Sequence, residues 1–252
     1  MTTPVTNPVL HAVRTVHVEI WSDIACPWCY IGKRRFATAL AAFGHREHVE
    51  VTWRSYELSP GTPVGPGTPE IDMLARLKGI PHEDVERMFA HVTEVAAGEG
   101  LAYDFPRALA VNTFAAHRLV HLARTTGGSA LAERTLDALF SAHFEHGADL
   151  GDDEELVRIV SGAGLDAAAA RAALADGTGT EAVRADEAQA RTLGVTGVPF
   201  FVVDRRIAVS GAQPAEVFTQ LLEAGWREAN PLQTLAAADP DAAACADESC
   251  AT

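Results

Sequence analysis

The sequence predicts an α/β fold interrupted by an all-helical insertion, and three observations carry that reading. Near the start, two runs of alternating apolar residues flank one amphipathic stretch, giving β–α–β. After residue 177 a second mixed unit follows, ordered α–β–β–α. Between the two lies a long segment of helical periodicity, fenced off by prolines and glycines.

Residues 1–15, with Pro4 and Pro8, read as a loose leader. Val16, Val18 and Ile20 then alternate with His17 and Glu19, as in a half-buried strand. The strand runs into Cys26, and Pro27 suits a first helical turn, where a missing N–H costs nothing. Trp28, Ile31, Phe36 and Leu40 share one helical side, which sends Lys33, Arg34 and Arg35 outward and makes Gly44 the stop. Val49, Val51 and Trp53 alternate with Glu50, Thr52 and Arg54 as a second strand, so the first part of the core covers residues 16–60.

Pro60, Gly61, Pro63, Gly65, Pro66, Gly67 and Pro69 open the insertion, residues 61–177. Ile71, Leu74 and Leu77 repeat at helical spacing. Pro81 with Glu83 and Asp84 starts another helix, carrying Val85, Met88, Phe89 and Val92. Phe114, Leu119 and Leu122 mark one more, Leu131 to Phe144 a separate one, and Asp152 and Asp153 precede Leu156, Ile159 and Val160. Met73 and Met88 are expected in the core of this insertion, whose surface could also receive apolar substrate segments. The second part of the core, 178–229, holds a helix from Thr180 to Leu193, a buried strand Phe200 to Val203, a hairpin partner Ile207 to Val209, and a helix opened by Pro214. Residues 230–252 are Ala- and Asp-rich and read as a tail.

Composition bounds the function. The chain has 252 residues, 48% of them apolar and 21% charged, with a formal net charge of −14. That acidity, with no basic block, argues against nucleic-acid and anionic-membrane partners. No apolar run is long enough to span a bilayer, and Met1 to Pro8 lacks the basic start and apolar core of a signal peptide, so the expected compartment is the cytoplasm. In that setting close cysteine pairs point to redox or metal chemistry rather than structural bridges, and the chain has two: Cys26/Cys29 and Cys245/Cys250.

A thiolate attacks a disulfide, so a working cysteine must lose its proton near neutral pH. Cys26 lies where a strand feeds a helix, with the unpaired helical N–H groups facing its sulfur. It is the expected nucleophile and the more exposed, more acidic thiol; Cys29, one turn on, is the expected resolving thiol. Zinc is set aside, because the second pair has four intervening residues, lies more than two hundred positions away, and is a poor partner for a helix-embedded Cys29. No metal and no cofactor is called for. Val198-Pro199, just before the buried strand, reads as a strand starter or as a cis proline that leaves the preceding backbone free to pair with an extended substrate.

Three stretches resemble one family: Asp23-Ile24-Ala25-Cys26-Pro27-Trp28-Cys29-Tyr30-Ile31-Gly32-Lys33, Asn112-Thr113 with Ala116-His117-Arg118-Leu119, and Gly194 to Val202 around Val198-Pro199. Together they resemble the DsbA-like branch of the thioredoxin superfamily, most closely the FrnE-type oxidoreductases, over residues 16–226. The resemblance implies a thioredoxin fold with a helical insertion, catalytic Cys26 and Cys29, and a cis Pro199 beside them. It implies protein or peptide thiols and disulfides as substrates, contacted by Pro27, Trp28 and Val198, with glutathione or a thioredoxin-type reductant as candidate electron partner. Two departures stand out. DsbA-type oxidants place His where this chain has Trp28, and thioredoxin-like proteins place a buried carboxylate where it has Ile20; Asp23 reads as the cap of a turn. The competing function is a glutathione-dependent transferase or isomerase of the kappa-class or 2-hydroxychromene-2-carboxylate type, which is similar in architecture but typically uses Ser and no cysteine pair. A chaperone-like binding module is a third.

Other candidates carry less. His143 and His146, with Glu145, are expected at the surface, and His117 is expected to pack between helices. Cys245 and Cys250 are expected to form an auxiliary redox pair whose thiols Asp247 and Glu248 render slow attackers.

Overall fold

A computed structural model of the chain describes residues 13–232. Its main sheet has four strands, β1 (Val16–Ser22), β2 (Val49–Ser55), β5 (Phe200–Val203) and β6 (Ile207–Ser210), in the order β2-β1-β5-β6. β1 and β2 run parallel, joined by the crossover helix α1 (Pro27–Ala42), with Val16 opposite Val49 and Ser22 opposite Ser55. β5 lies antiparallel to β1, placing Phe201 beside Ile20, and β6 closes the hairpin.

The strand parity read from the sequence decides which residues meet on each face. Val16, Val18 and Ile20 face the main core with Phe201. There Phe201 packs against Phe36 of α1 and Phe218 of α8 (Ala215–Ala229), at ring separations of 5.4 and 4.4 Å. On the opposite face Trp21 and Val202 meet Ala190 of α7 (Thr180–Thr192), and the Trp21 indole donates to the Asp186 carbonyl at 2.9 Å. Glu19, on that same face, is buried but satisfied by Arg54 and Arg205.

Close approach of α8 to the sheet depends on Gly225. A Cβ there would run into Cγ1 of Val203, a branched strand residue with little freedom to turn away. Gly225→Ala gains some helix propensity but forces α8 off the sheet, so a net loss of about 1–2 kcal/mol is expected. Thermal unfolding should register this as a fall in Tm of about 2–8 °C; an unchanged Tm would mean that α8 moves freely.

Between β2 and β5 lie α2 (Glu70–Lys78), α3 (His82–Gly98), α4 (Phe114–Phe144), α5 (Asp153–Gly162) and α6 (Ala167–Asp176), followed by α7. The two helices expected over 114–144 run end to end across a break at Gly128, whose φ of 71° and ψ of −172° no helix contains. The region is helical except for a short turn at Phe105–Arg107 and a two-residue ladder, β3 (Thr68–Pro69) against β4 (Leu109–Ala110), which joins the segment before α2 to the segment before α4.

Four local expectations are corrected. Lys33 is only 4% exposed, not outward-facing: its ammonium lies 3.0 Å from Glu133 and from Asp137 of α4, a long-range contact that helical periodicity does not encode. Phe43, not Gly44, caps α1, its N–H donating to the Leu40 carbonyl. Met88 is exposed and Met73 half-buried, because the apolar edges of α2 and α3 turn toward a cleft rather than the core. His143 is buried rather than at the surface, since the second half of α4 runs through the interior.

Candidate active site

Cys26 is the N-cap residue of α1, with extended backbone angles (φ −96°, ψ 111°) and Pro27 in the first turn. No side chain caps this helix, so its first N–H groups have no side-chain acceptor at the end where Cys26 sits. Cys29 follows one turn later, its N–H donating to the Cys26 carbonyl at 3.0 Å. Cys26 is 4% exposed and Cys29 fully buried, and the sulfurs are unbridged, so the structure describes the dithiol form. Burial pushes the Cys29 thiol well up, and the neighbouring Cys26 sulfur adds to this; the Ser22 hydroxyl and the Asp23 backbone act weakly the other way. Cys29 is therefore the thiol that holds its proton.

The loop before β5 lies against the Cys26 sulfur. The Val198–Pro199 peptide is cis. The Cys26 thiol lies 3.6 Å from the Val198 carbonyl, and the Pro199 carbonyl accepts from the Gly211 N–H at 2.8 Å, which fixes the loop to the end of β6. Gly32 makes room for it: a Cβ at Gly32 would stand 3.0 Å from Cγ of Pro199.

Asp23 ties this segment to the rest of the protein. Its Oδ1 accepts from the Thr113 hydroxyl at 2.8 Å and from the Ala25 N–H at 3.3 Å, with His117 Nε2 also at 3.3 Å. Its Oδ2 accepts from the Leu58 N–H at 2.7 Å. Burial pushes this carboxyl up, but the His117 imidazole and the Leu58 and Thr113 donors outweigh it and hold the group below the usual carboxylate range. With its lone pairs taken, Asp23 is a clamp rather than a free base. The Tyr103 hydroxyl adds a second tie, donating to the Pro27 carbonyl at 2.7 Å.

Cys26, Pro27 and Trp28 open onto a cleft of about 380 Å³ whose far wall is Met73, Leu74, Met88 and Phe89. A larger cavity of about 850 Å³, between α2, α3 and the Tyr103–Ala108 segment, contains neither cysteine. The chemistry assigns the smaller one.

Residues 17–223 match the family model of the DSBA-like thioredoxin domain. The chain belongs to the DsbA-like thioredoxin family. Within it, the probable DsbA oxidoreductase SCO1869 of Streptomyces coelicolor is 49% identical and superposes with a TM-score of 0.81, covering 90% of this chain and 97% of that one. The uncharacterized protein YwbO of Bacillus subtilis (strain 168) is 27% identical over 82% of this chain and 96% of its own length. The cytosolic disulfide reductase DsbM from Pseudomonas aeruginosa, solved with GSH, shares the fold at 19% identity and a TM-score of 0.56, over 84% of this chain and 99% of that one. The DsbA-like fold and an oxidoreductase family are thereby shown.

Of the six residues singled out for the first site, Cys26, Pro27 and Trp28 line the cleft, Val198 lies against the Cys26 sulfur, Cys29 follows one turn behind it, and Pro199 lies beside Gly32 of the same helix. Cys245 and Cys250 lie outside the described residues. Sequence reasoning missed Tyr103, left Asp23 as a turn cap and His117 as packing, and put His143 at the surface. The Thr113/His117 motif was the available signal for the Asp23 clamp. Among the described residues no three His, Cys, Asp or Glu side chains converge as metal ligands, and no helix is long and apolar enough to cross a membrane.

Proposed function

We propose that the protein catalyses thiol–disulfide exchange on protein or peptide substrates, with Cys26 as nucleophile and Cys29 as resolving thiol. The observation that carries the reading is the Cys26 sulfur at an uncapped helix N-terminus, against the carbonyl before Pro199, with Cys29 buried behind it. In the oxidising direction a substrate thiolate attacks Sγ of Cys26 in the Cys26–Cys29 disulfide. The bond to Cys29 breaks, and Cys29 leaves as a thiolate that takes up a proton. A second substrate thiolate then attacks the substrate sulfur of the mixed disulfide and expels Cys26 as a thiolate. Two thiols become one disulfide and the pair is left reduced. The reducing direction is the reverse: Cys26 attacks, and deprotonated Cys29 releases the product. The backbone of Val198 and the exposed edge of Trp28 would hold the extended substrate strand.

The FrnE-type likeness, the cytoplasmic setting and glutathione or a thioredoxin-type reductant as electron partner belong to the same proposal. The cysteine pair favours exchange over glutathione transfer or isomerisation, which need no resolving thiol. With dithiothreitol as reductant, the protein should accelerate insulin-disulfide reduction and reactivate scrambled ribonuclease, and Cys26→Ser/Cys29→Ser should do neither. A double variant as active as the parent would sink the reading.

A further inference from the structure

Ser22 ends β1, and strand alternation puts its side chain on the same face as Val18 and Ile20. α1 covers that face: Phe36 packs on Phe201 beside Ile20, and Cys29 shares one buried cluster with Val18 and Ile20. The turn from β1 into α1 is short, Asp23 to Cys26, closed by the Cys26 N–H on the Asp23 carbonyl at 3.1 Å. Ser22 therefore stands beneath the first turn of α1. There its hydroxyl acts on the Cys29 sulfur as a hydrogen-bond donor, opposing the upward push of burial on that thiol.

Ser22 is only 3% exposed, and its Oγ has no hydrogen-bond partner among the described residues. Its backbone is engaged separately: Ser22 lies opposite Ser55 in the sheet, and its carbonyl accepts from the Tyr56 N–H at 3.1 Å. A buried hydroxyl is rarely left without a partner, because it forfeits its hydration without compensation. The chemistry of the neighbouring sulfur accounts for it. A neutral thiol is a weak acceptor, whereas a hydrogen bond to a charged acceptor is about twice as strong as a neutral one. Buried Cys29 carries charge only while the disulfide opens or closes. Carboxylates do not take this part: position 20 holds isoleucine, and the Asp23 carboxylate is engaged by Thr113, Ala25 and Leu58.

We propose that the Ser22 hydroxyl is the donor that holds the Cys29 sulfur as it leaves the Cys26–Cys29 disulfide, and again as it attacks the mixed disulfide. The proposal rests on the exchange reading and adds to it the group that stabilises the resolving thiolate. In the opening step an incoming thiolate bonds to Sγ of Cys26, and the Cys26–Cys29 bond breaks with its electron pair passing to Cys29. The Ser22 O–H turns onto that sulfur, and no proton leaves the serine. The hydrogen bond strengthens as charge develops, so it lowers the barrier without favouring either end state.

The test is the reaction of the full chain with dithiothreitol at pH 7, followed in both directions on the Cys26–Cys29 peptide by acid quench and mass spectrometry. Ser22→Ala should open and re-form the disulfide about tenfold more slowly. The ratio of the two rates, and so the equilibrium, should stay that of the parent, as should the alkylation rate of Cys26 in the reduced chain. The reduced variant should unfold at or above the parent's Tm, because the hydroxyl removed makes no bond in that form. Opening at the parent's rate overturns the inference. So does a slowing that comes with a lowered Tm or an equal shift of the equilibrium, since a structural role alone produces those. Dithiothreitol needs no protein substrate, so the two readings fail separately. A chain that reduces insulin, and whose Ser22→Ala variant opens like the parent, loses only this inference. A chain whose opening depends on Ser22, yet leaves insulin untouched, loses only the reading of protein substrates.

Discussion

Cys26→Ser is expected to lower exchange turnover by on the order of a thousandfold or more, because it removes the attacking atom itself. Cys29→Ser should fail differently. Cys26 can still attack, but nothing behind it expels the product, so a mixed disulfide between Cys26 and substrate should accumulate, visible by mass spectrometry under non-reducing conditions. The contrast follows from the geometry: Cys26 borders the cleft at a helix N-terminus, while Cys29 is fully buried with its thiol pushed up. A mixed disulfide trapped on Cys29 in Cys26→Ser, with none on Cys26 in Cys29→Ser, would reverse the assignment. Alkylation at graded pH gives an independent check, since Cys29 should be modified last.

The second large effect is expected at Asp23. Asp23→Ala would leave the Leu58 N–H, the Thr113 hydroxyl and the His117 ring without their shared acceptor in the interior, at a cost of about 3 kcal/mol. The segment leading to Cys26 would lose its tie to the helical region, so exchange rates should fall as well. Asp23 also makes stability depend on pH in one direction. Its folded-state value is depressed, so its contribution is fully present above the ordinary aspartate value of about 3.9 and is lost as the pH falls through the folded value. Denaturant titrations at pH 7 and pH 3 should show the parent losing more stability between the two than Asp23→Asn, which has no charge to lose. An equal loss in both proteins would mean that Asp23 is not the group responsible.

Much of the core was legible because its elements are built on short periods. The alternation from Val16 to Ile20 and from Val49 to Trp53 gave two neighbouring strands, and the apolar run at Phe200 gave the third. The Cys26 pair and Pro199 were legible because their residue types and positions are unusual in themselves. What escaped depends on contacts between segments far apart in sequence. Lys33 reads as a surface residue until Glu133 and Asp137, a hundred positions on, are brought over it. His143 reads as a surface residue until the break at Gly128 sets the direction of the second half of α4. Met73 and Met88 were read as core because periodicity tells which side of a helix is apolar, not whether that side meets protein or an open cleft. Asp23 needed its partners at Leu58, Thr113 and His117, three separate elements that only the fold assembles.

Lys33 has one further consequence. Its α-carbon belongs to the helix that starts at the cysteines, yet among the described residues its ion pairs are with side chains of the helical region, while Tyr103 from that region holds the Pro27 carbonyl. Deleting the helical region would remove both ties, uncover the face of α1 that Lys33 occupies and free the first turn below the reactive sulfur. The two parts are therefore expected to melt in one transition.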